Sequence, residues 1–370
     1  MNKKAKNELM FLMGLGALAS VLFGRKKLAA GLALGTAAVA FSKKKSADSF
    51  DGKVAVITGG SRGLGLALAK KLVIEGSRVT LLARDLGELE KAKEHLSKFT
   101  SADKICIFQC DVTDQEQMIE ALRTTVRHWG SIDLLINNAG AIIVGPFESM
   151  TMTDFEAQMK LHVYANIHAT NEILPIFRRR GGGRIINICS MGGKVAVPHM
   201  LPYNTSKFAL SGFSQGITAE LSRENISVTT VYPALMRTGS PIQAVFKGDA
   251  EKEFAWFANA DVLPGLSLDA HDAANQIIEA SRDRQTELVP SLIGRVRMMA
   301  AVLFPELMQS AMGLMNRLMP RRNSFNYRTG AQAQTKDSYV LKSLQRRAES
   351  AEADLNQTEK HNPEFNLGIQ

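Results

Sequence analysis

Tyr203 and Lys207 stand four residues apart in "YNTSK", and Ser190 lies thirteen residues upstream of the tyrosine. On a helix, positions i and i+4 share a face, so an ammonium there lowers the pKa of the phenol electrostatically. A phenol tuned in this way passes a proton to or from a reacting oxygen. Ser190 ends the run "RIINIC", where a hydroxyl can share a carbonyl oxygen with the tyrosine. Tyr and Lys at this spacing also arise on ordinary surface helices, so the pair has to be weighed with its surroundings.

The second chemical stretch is "TGGSRGLG", Thr58 to Gly65, which follows the run "VAVI" and leads into "LALAKKLVIEG". Glycines here let the chain turn tightly and bring backbone N–H groups against a diphosphate at the positive end of a helix dipole. Alone, such a loop is as readily a tight turn. Its position is the stronger signal: strand, loop, helix and a second strand, "RVTLLA", come in βαβ order.

Those residues must be held by a larger frame. Seven short runs, "VAVITG", "RVTLLA", "KICIFQC", "DLLINNAG", "GRIINIC", "SVTTVYP" and "TELVP", alternate with stretches of helical period. This pattern predicts an α/β fold, a Rossmann-type doubly wound parallel sheet with both faces covered, as a single catalytic domain over 46–290. At 370 residues and 45% hydrophobic content, the chain can bury one such core and still leave segments over. Residues 1–45 form one of them. Another, 291–330, is a Met-rich amphipathic helical extension in which Leu307, Ala311, Leu314 and Leu318 share a face widened by Met308, Met312, Met315 and Met319. Residues 331–370 read as a polar, mobile tail.

Taken together, residues 52–290 resemble the short-chain dehydrogenase/reductase family, classical type. The matches are "TGGSRGLG" for the cofactor loop, "CDVTD" for the adenine pocket, "NNAG" on the central strand, Ser190, "YNTSK", and "YPALMRT", where the family reaches the nicotinamide through a threonine, here Thr238. The resemblance implies hydride transfer between nicotinamide and a carbonyl carbon, with Tyr203 as acid/base, Ser190 polarising the oxygen and Lys207 tuning the phenol and binding ribose. The cofactor-binding residues it implies are Thr58, Gly59, Ser61, Arg62, Gly63, Leu64, Gly65, Arg84, Asp111, Val112, Asn138, Ala139, Gly140, Tyr203, Lys207, Pro233 and Thr238. Two positions depart from the family. Where it places an asparagine whose helix-kink carbonyl supports a water leading to the lysine, this chain has His162, with Asn166 one turn later; His162 is read both as a member of the catalytic relay and as packing. The glycine after Pro233 is Ala234.

Ala83 stands at the end of the second strand, where NAD-dependent relatives carry an acid for the ribose hydroxyls. Arg84 follows it, and Arg62 in the glycine loop is placed to reach a 2'-phosphate, so NADP(H) is favoured and Asp85 keeps NAD(H) open.

Charge is concentrated at one end. Residues 1–45 carry nine Lys/Arg against Glu8, so they hold +8 of the net +9, and the nearly neutral remainder shows no basic stripe that would suit nucleic acid. Cys106, Cys110 and Cys189 are odd in number and lack metal-ligand spacing, so they read as reduced thiols with no metal site. Two uncharged runs, 9–24 and 28–41, flank Arg25, Lys26 and Lys27. As helices they would be ~24 Å and ~21 Å long, short of the ~30 Å hydrocarbon core. A secretory signal has this form, but a cytosolic nucleotide and unpaired cysteines argue against export. The runs therefore read as a membrane anchor, either one span or a shallow hairpin, with the catalytic domain on the cytoplasmic side. Phe246, Phe254, Trp256 and Phe257 follow Thr238 in the segment that forms a mobile substrate lid in the family. The expected protein is a membrane-associated, homo-oligomeric NADP(H)-dependent reductase or dehydrogenase acting on a lipophilic carbonyl or alcohol, with membrane lipid as its other partner. A reductase of soluble substrates such as 3-oxoacyl groups, and a non-catalytic nucleotide-binding scaffold, are the alternatives.

Overall fold

The computed structural model describes residues 48–262, 267–321, 327–335, 338 and 342–357, together with Met13, Ala30 and Leu32. The anchor expected over 1–45 otherwise lies outside the described residues. Among the described residues no single helix is long and apolar enough to cross a membrane.

All seven apolar runs become strands of one parallel sheet. They are β1 (Val54–Thr58), β2 (Arg78–Ala83), β3 (Ile105–Gln109), β4 (Leu134–Asn137), β6 (Gly183–Ile188), β7 (Ile226–Val231) and β11 (Glu287–Leu288), in the order β11-β7-β6-β4-β1-β2-β3. In β1 and β4 every residue is buried, because helices cover both faces, and so the runs are continuously apolar rather than alternating. On one face α1 (Gly63–Ile74), α2 (Leu86–Ser97) and α8 (Ala270–Arg282) pack Leu66, Leu72, Leu89 and Ile277 onto the sheet. On the other, α3 (Gln115–Trp129) and α5 (Ala165–Arg180) contribute Met118, Leu122, Ile173 and Phe177. The crossover direction reverses between β1 and β4. That opens a crevice at the carboxyl ends of the strands, where doubly wound sheets hold their ligands.

Local chemistry sets the element ends. The Asp85 carboxylate caps α2 by accepting from the Glu88 N–H, and Asp114 caps α3 by accepting from Glu116 and Gln117. Asp85, read as an option for ribose, is therefore engaged by its own helix. A single π turn at 160–164 joins α4 (Met152–Met159) to α5 and sets His162 facing inward.

Smaller elements complete the substrate side. β5 (Ile143–Val144) and β12 (Tyr327–Thr329) flank β9 (Val245–Lys247), and β8 (Met236–Arg237) pairs with β10 (Leu268–Asp269). α6 (Leu201–Glu220) carries the Tyr–Lys pair, and α7 (Ala250–Val262) packs on β9. The Met-rich segment forms α9 (Leu292–Leu303) and α10 (Pro305–Leu318). After the short α11 (Gly330–Ala333), part of the stretch read as a mobile tail is α12 (Lys342–Asp354), and Leu355 and Gln357 beyond it are buried. Leu355 and Asn356 dock this segment on the glycine loop.

Candidate active site

Ser190 leaves the end of β6 and caps a short 3-10 turn, its hydroxyl accepting from the Gly192 N–H at 3.0 Å. Tyr203 and Lys207 lie one turn apart on α6, the tyrosine half-buried and the lysine buried, with the lysine Nζ 5.6 Å from the centre of the tyrosine ring. Lys207 donates to the Ile188 carbonyl at 3.0 Å, which fastens α6 to β6. The phenol moves opposite to expectation. Burial pushes it up and the Ser190 hydroxyl pulls against that, so Tyr203 holds its proton. Burial also pushes Lys207 down, to about 8.

His162 does not fit an acid or base. Its Nε2 accepts from the Ala141 N–H at 3.3 Å, and its Nδ1 lies 2.8 Å from the Ser206 hydroxyl, which itself donates to the Tyr203 carbonyl. Both ring nitrogens are therefore committed, with the proton on Nδ1. Burial and then Lys207 hold its pKa well below the usual histidine range, so the ring is neutral. It stands edge-on to Tyr203 at 5.4 Å between ring centres and positions it. The His162 carbonyl, expected to support a water, accepts from the Asn166 side chain at 2.7 Å.

The glycine loop has the shape a diphosphate needs. Gly63 opens α1 at φ +57°, and a Cβ at Gly65 would collide with the Gly59 carbonyl and the Asn138 amide. Two of the residues expected to contact the cofactor also build this loop. The Thr58 hydroxyl accepts from the Asn138 and Ala139 N–H groups, and the Asn138 side chain donates to the Thr58 and Gly59 carbonyls. Gly140 lies against His162 Nε2, and Val112 packs in the core on the α3 side. Thr238 faces Gly63 across the crevice, and the Pro233 carbonyl holds the Met191 N–H. Leu64 is buried on the core side of α1. Arg84 lines an open cleft with Gln109, Asp111 and Gln117. The glycine loop at the start of α1 would hold the diphosphate of a nicotinamide dinucleotide in place of the Leu355 carbonyl that now sits on the Gly63 N–H, and Lys207 would hold its ribose.

Four features had no signal in the spacing. Glu88 accepts from the Ser61 hydroxyl and the Arg62 guanidinium, so its carboxylate engages one of the two arginines expected to reach a 2'-phosphate. Leu355 places its carbonyl on the Gly63 N–H at 2.9 Å, and Asn356 donates to the Ser61 and Glu88 carbonyls at 3.0 and 3.3 Å. His199, four residues before Tyr203, is held at φ +63° with Nδ1 2.7 Å from the buried Glu253 carboxylate, which also accepts from Trp256. Phe246, Phe254 and Phe257 are buried and meet edge-to-face. Apart from Trp256 and the phenylalanines, these partners lie tens to hundreds of residues apart in sequence.

Residues 53–245, more than half of the chain, match the family described as short chain dehydrogenase. The chain belongs to the short-chain dehydrogenase family. An uncharacterized oxidoreductase, YusZ, of Bacillus subtilis is 37% identical over 186 residues, which cover 50% of this chain and 66% of that one. The 3-dehydrosphinganine reductase of Danio rerio is 31% identical over 186 residues, covering 50% and 56%. The chain thus matches under two thirds of the length of either relative. Among solved structures, L-sorbose reductase from Gluconobacter frateurii, complexed with NADPH and L-sorbose, aligns with TM-score 0.58 and 27% identity over 65% of this chain and 97% of that one. A short-chain dehydrogenase from Burkholderia phymatum in complex with NAD aligns with TM-score 0.60 at 24% identity over 69% and 96%, a likeness of fold. As a short-chain dehydrogenase the chain is an oxidoreductase of that kind, and members of the family bind a nicotinamide cofactor.

Proposed function

We propose that this short-chain dehydrogenase is a membrane-associated, NADP(H)-dependent enzyme that interconverts a carbonyl and an alcohol on a lipophilic substrate. The observation that carries the chemistry is the convergence of Ser190, Tyr203 and Lys207 at the carboxyl end of β6, beside the crevice. The dinucleotide, when bound, supplies or takes the hydride. Tyr203, kept protonated by burial, donates its proton to the developing alkoxide, Ser190 shares that oxygen, and Lys207 offers its ammonium to the ribose. His162 fixes the tyrosine ring.

A lipophilic substrate suits the wall beyond Tyr203, where Ile142, Val144, Val197, Met200 and Trp256 form one apolar cluster with it. The relative named for 3-dehydrosphinganine points the same way. Arg62 and Arg84 favour NADP(H). Glu88 favours the second reading, NAD(H), because a carboxylate beside the ribose repels a 2'-phosphate and accepts from hydroxyls. Oxidation of NADPH and NADH by the purified protein, against long-chain and short ketones, aldehydes and acyl thioesters, tests all of this. Turnover of long-chain carbonyls with NADPH is expected; activity confined to short polar substrates, or to NADH, overturns the corresponding part.

A further inference from the structure

Both helices of the Met-rich extension leave an apolar stripe outside the fold. On α9, Leu292, Val296, Met299 and Leu303 recur at helical spacing and all are exposed, Leu292 at 75%. On α10, Leu307 and Leu318 are exposed at 69% and 84%, with Leu314 between them, and Phe304 at the turn is exposed as well. Apolar side chains of this size, clustered at the surface, mark a face that something else covers. The inner faces are already used: Met298, Ala301 and Met308 pack on the cluster holding Cys189 and Met191, the two neighbours of Ser190. The stripes are therefore the outer side of an element seated at the catalytic mouth.

Length and charge select the occupant. At 12 and 14 residues, the helices are ~18 Å and ~21 Å long, neither enough for a ~30 Å hydrocarbon core. The chain bends by 117° at the break between them. Neither helix spans alone, and a pair bent this sharply, with arginines at both ends, suits an interface. Residues 292–321 carry Arg295, Arg297, Arg317 and Arg321 against Glu306 alone, and Arg295, Arg317 and Arg321 are exposed. Anionic headgroups answer that charge. A second copy of the chain, meeting this face with the same face, would set arginines against arginines.

We propose that α9 and α10 rest on an anionic membrane, with their apolar stripes in the headgroup and acyl boundary beside the active site. The proposal rests on the reading of a membrane-associated enzyme but concerns a part of the chain far from the N-terminal runs.

The test uses the full-length chain carrying Leu314→Trp, with Leu292→Trp as a second probe on the other helix. Each is mixed with vesicles of phosphatidylcholine and phosphatidylglycerol, with and without brominated acyl chains, and the wild-type signal of Trp129 and Trp256 is subtracted. The introduced indole is expected to shift to the blue and to be quenched at least twofold by the brominated lipid, and Arg317→Glu with Arg321→Glu should reverse most of that. Protein that floats with the vesicles while both indoles stay unquenched overturns this proposal and leaves the N-terminal anchor standing. Protein that does not float at all overturns both. A blue shift without lipid, accompanied by a dimeric mass in light scattering, assigns the face to a second copy instead. Quenching without turnover of any carbonyl would leave this inference standing and remove the enzymatic one.

Discussion

In the proposed reaction Tyr203 must hold a proton in order to donate it, and burial raises its pKa in that direction. Replacing it with Phe removes the donor and leaves the ring packing, so turnover should fall at least ~100-fold with cofactor affinity nearly unchanged, as read by NADPH oxidation and fluorescence titration. Lys207, pushed down to about 8 by burial, is charged below that pH and neutral above it. Cofactor affinity is therefore expected to weaken as pH rises through about 8, and Lys207→Met should flatten that limb; an unchanged limb would assign it to another group. His162 is neutral with both nitrogens engaged, so His162→Asn should leave the pH profile in place and keep activity within about tenfold, ~1.4 kcal/mol of barrier, while lowering the melting temperature. Glu88 carries the cofactor question. Glu88→Gln removes a negative charge beside Ser61 and Arg62, and NADPH should bind about 10- to 100-fold tighter with NADH little changed, since a charge-assisted bond is worth ~1.5 to 3 kcal/mol. Equal change for both cofactors would remove the 2'-phosphate from this corner of the crevice.

At the scale of elements, the seven strands of the large sheet are legible in the sequence because each is a short apolar run bounded by turn residues, with the central ones buried on both faces. The glycine loop and the Tyr–Lys pair are legible too, being local. What is not legible depends on pairing at a distance: two-residue strands such as β5 and β8, the His199–Glu253 contact, and the docking of α12. The last of these has consequences. The Leu355 carbonyl occupies a helix N-terminal donor, Gly63 N–H, that suits a phosphate oxygen, so the segment and the cofactor compete for one part of the crevice. Asn356 sits at φ +56°, where glycine is at ease, so Asn356→Gly keeps the backbone and deletes its two side-chain bonds. Cofactor should then bind several-fold tighter; weaker binding would make the segment a support for the cofactor instead. The contact is also pH-sensitive. Glu352 and Asp261 line one small cavity under α12, and burial raises them to about 7 and about 8. Their folded pKa values exceed the ordinary carboxylate values, so the stability they lend is complete at acid pH and is lost as pH rises through about 7 to 8. Hydrogen exchange along α12 should accordingly quicken between pH 6 and 9, and Asp261→Asn should shrink the change.

For the molecule as a whole, the question is what the two uncharged N-terminal runs do. The family match starts at residue 53, and the large sheet together with Ser190, Tyr203 and Lys207 lies within residues 54–288. Residues 1–45 carry +8 of the net +9. A segment with that charge, flanking apolar runs too short for a comfortable span, suits a bilayer surface with anionic headgroups better than it suits the protein core. Deleting 1–45 should therefore leave cofactor affinity and the melting temperature of the catalytic domain close to those of the full chain, and should move most of the protein from the membrane pellet to the supernatant. If α9 and α10 hold the lipid as well, the shortened protein will still bind anionic vesicles, and binding will fall steeply between 50 and 500 mM salt because exposed charges are screened beyond roughly 10 Å at 0.1 M. Carbonate washing of the full-length protein separates the two modes, since an inserted run stays with the membrane when surface charge contacts are stripped. A full-length protein that fractionates with the cytosol without detergent would exclude the anchor, and the lipophilic substrate would then have to reach Tyr203 through water.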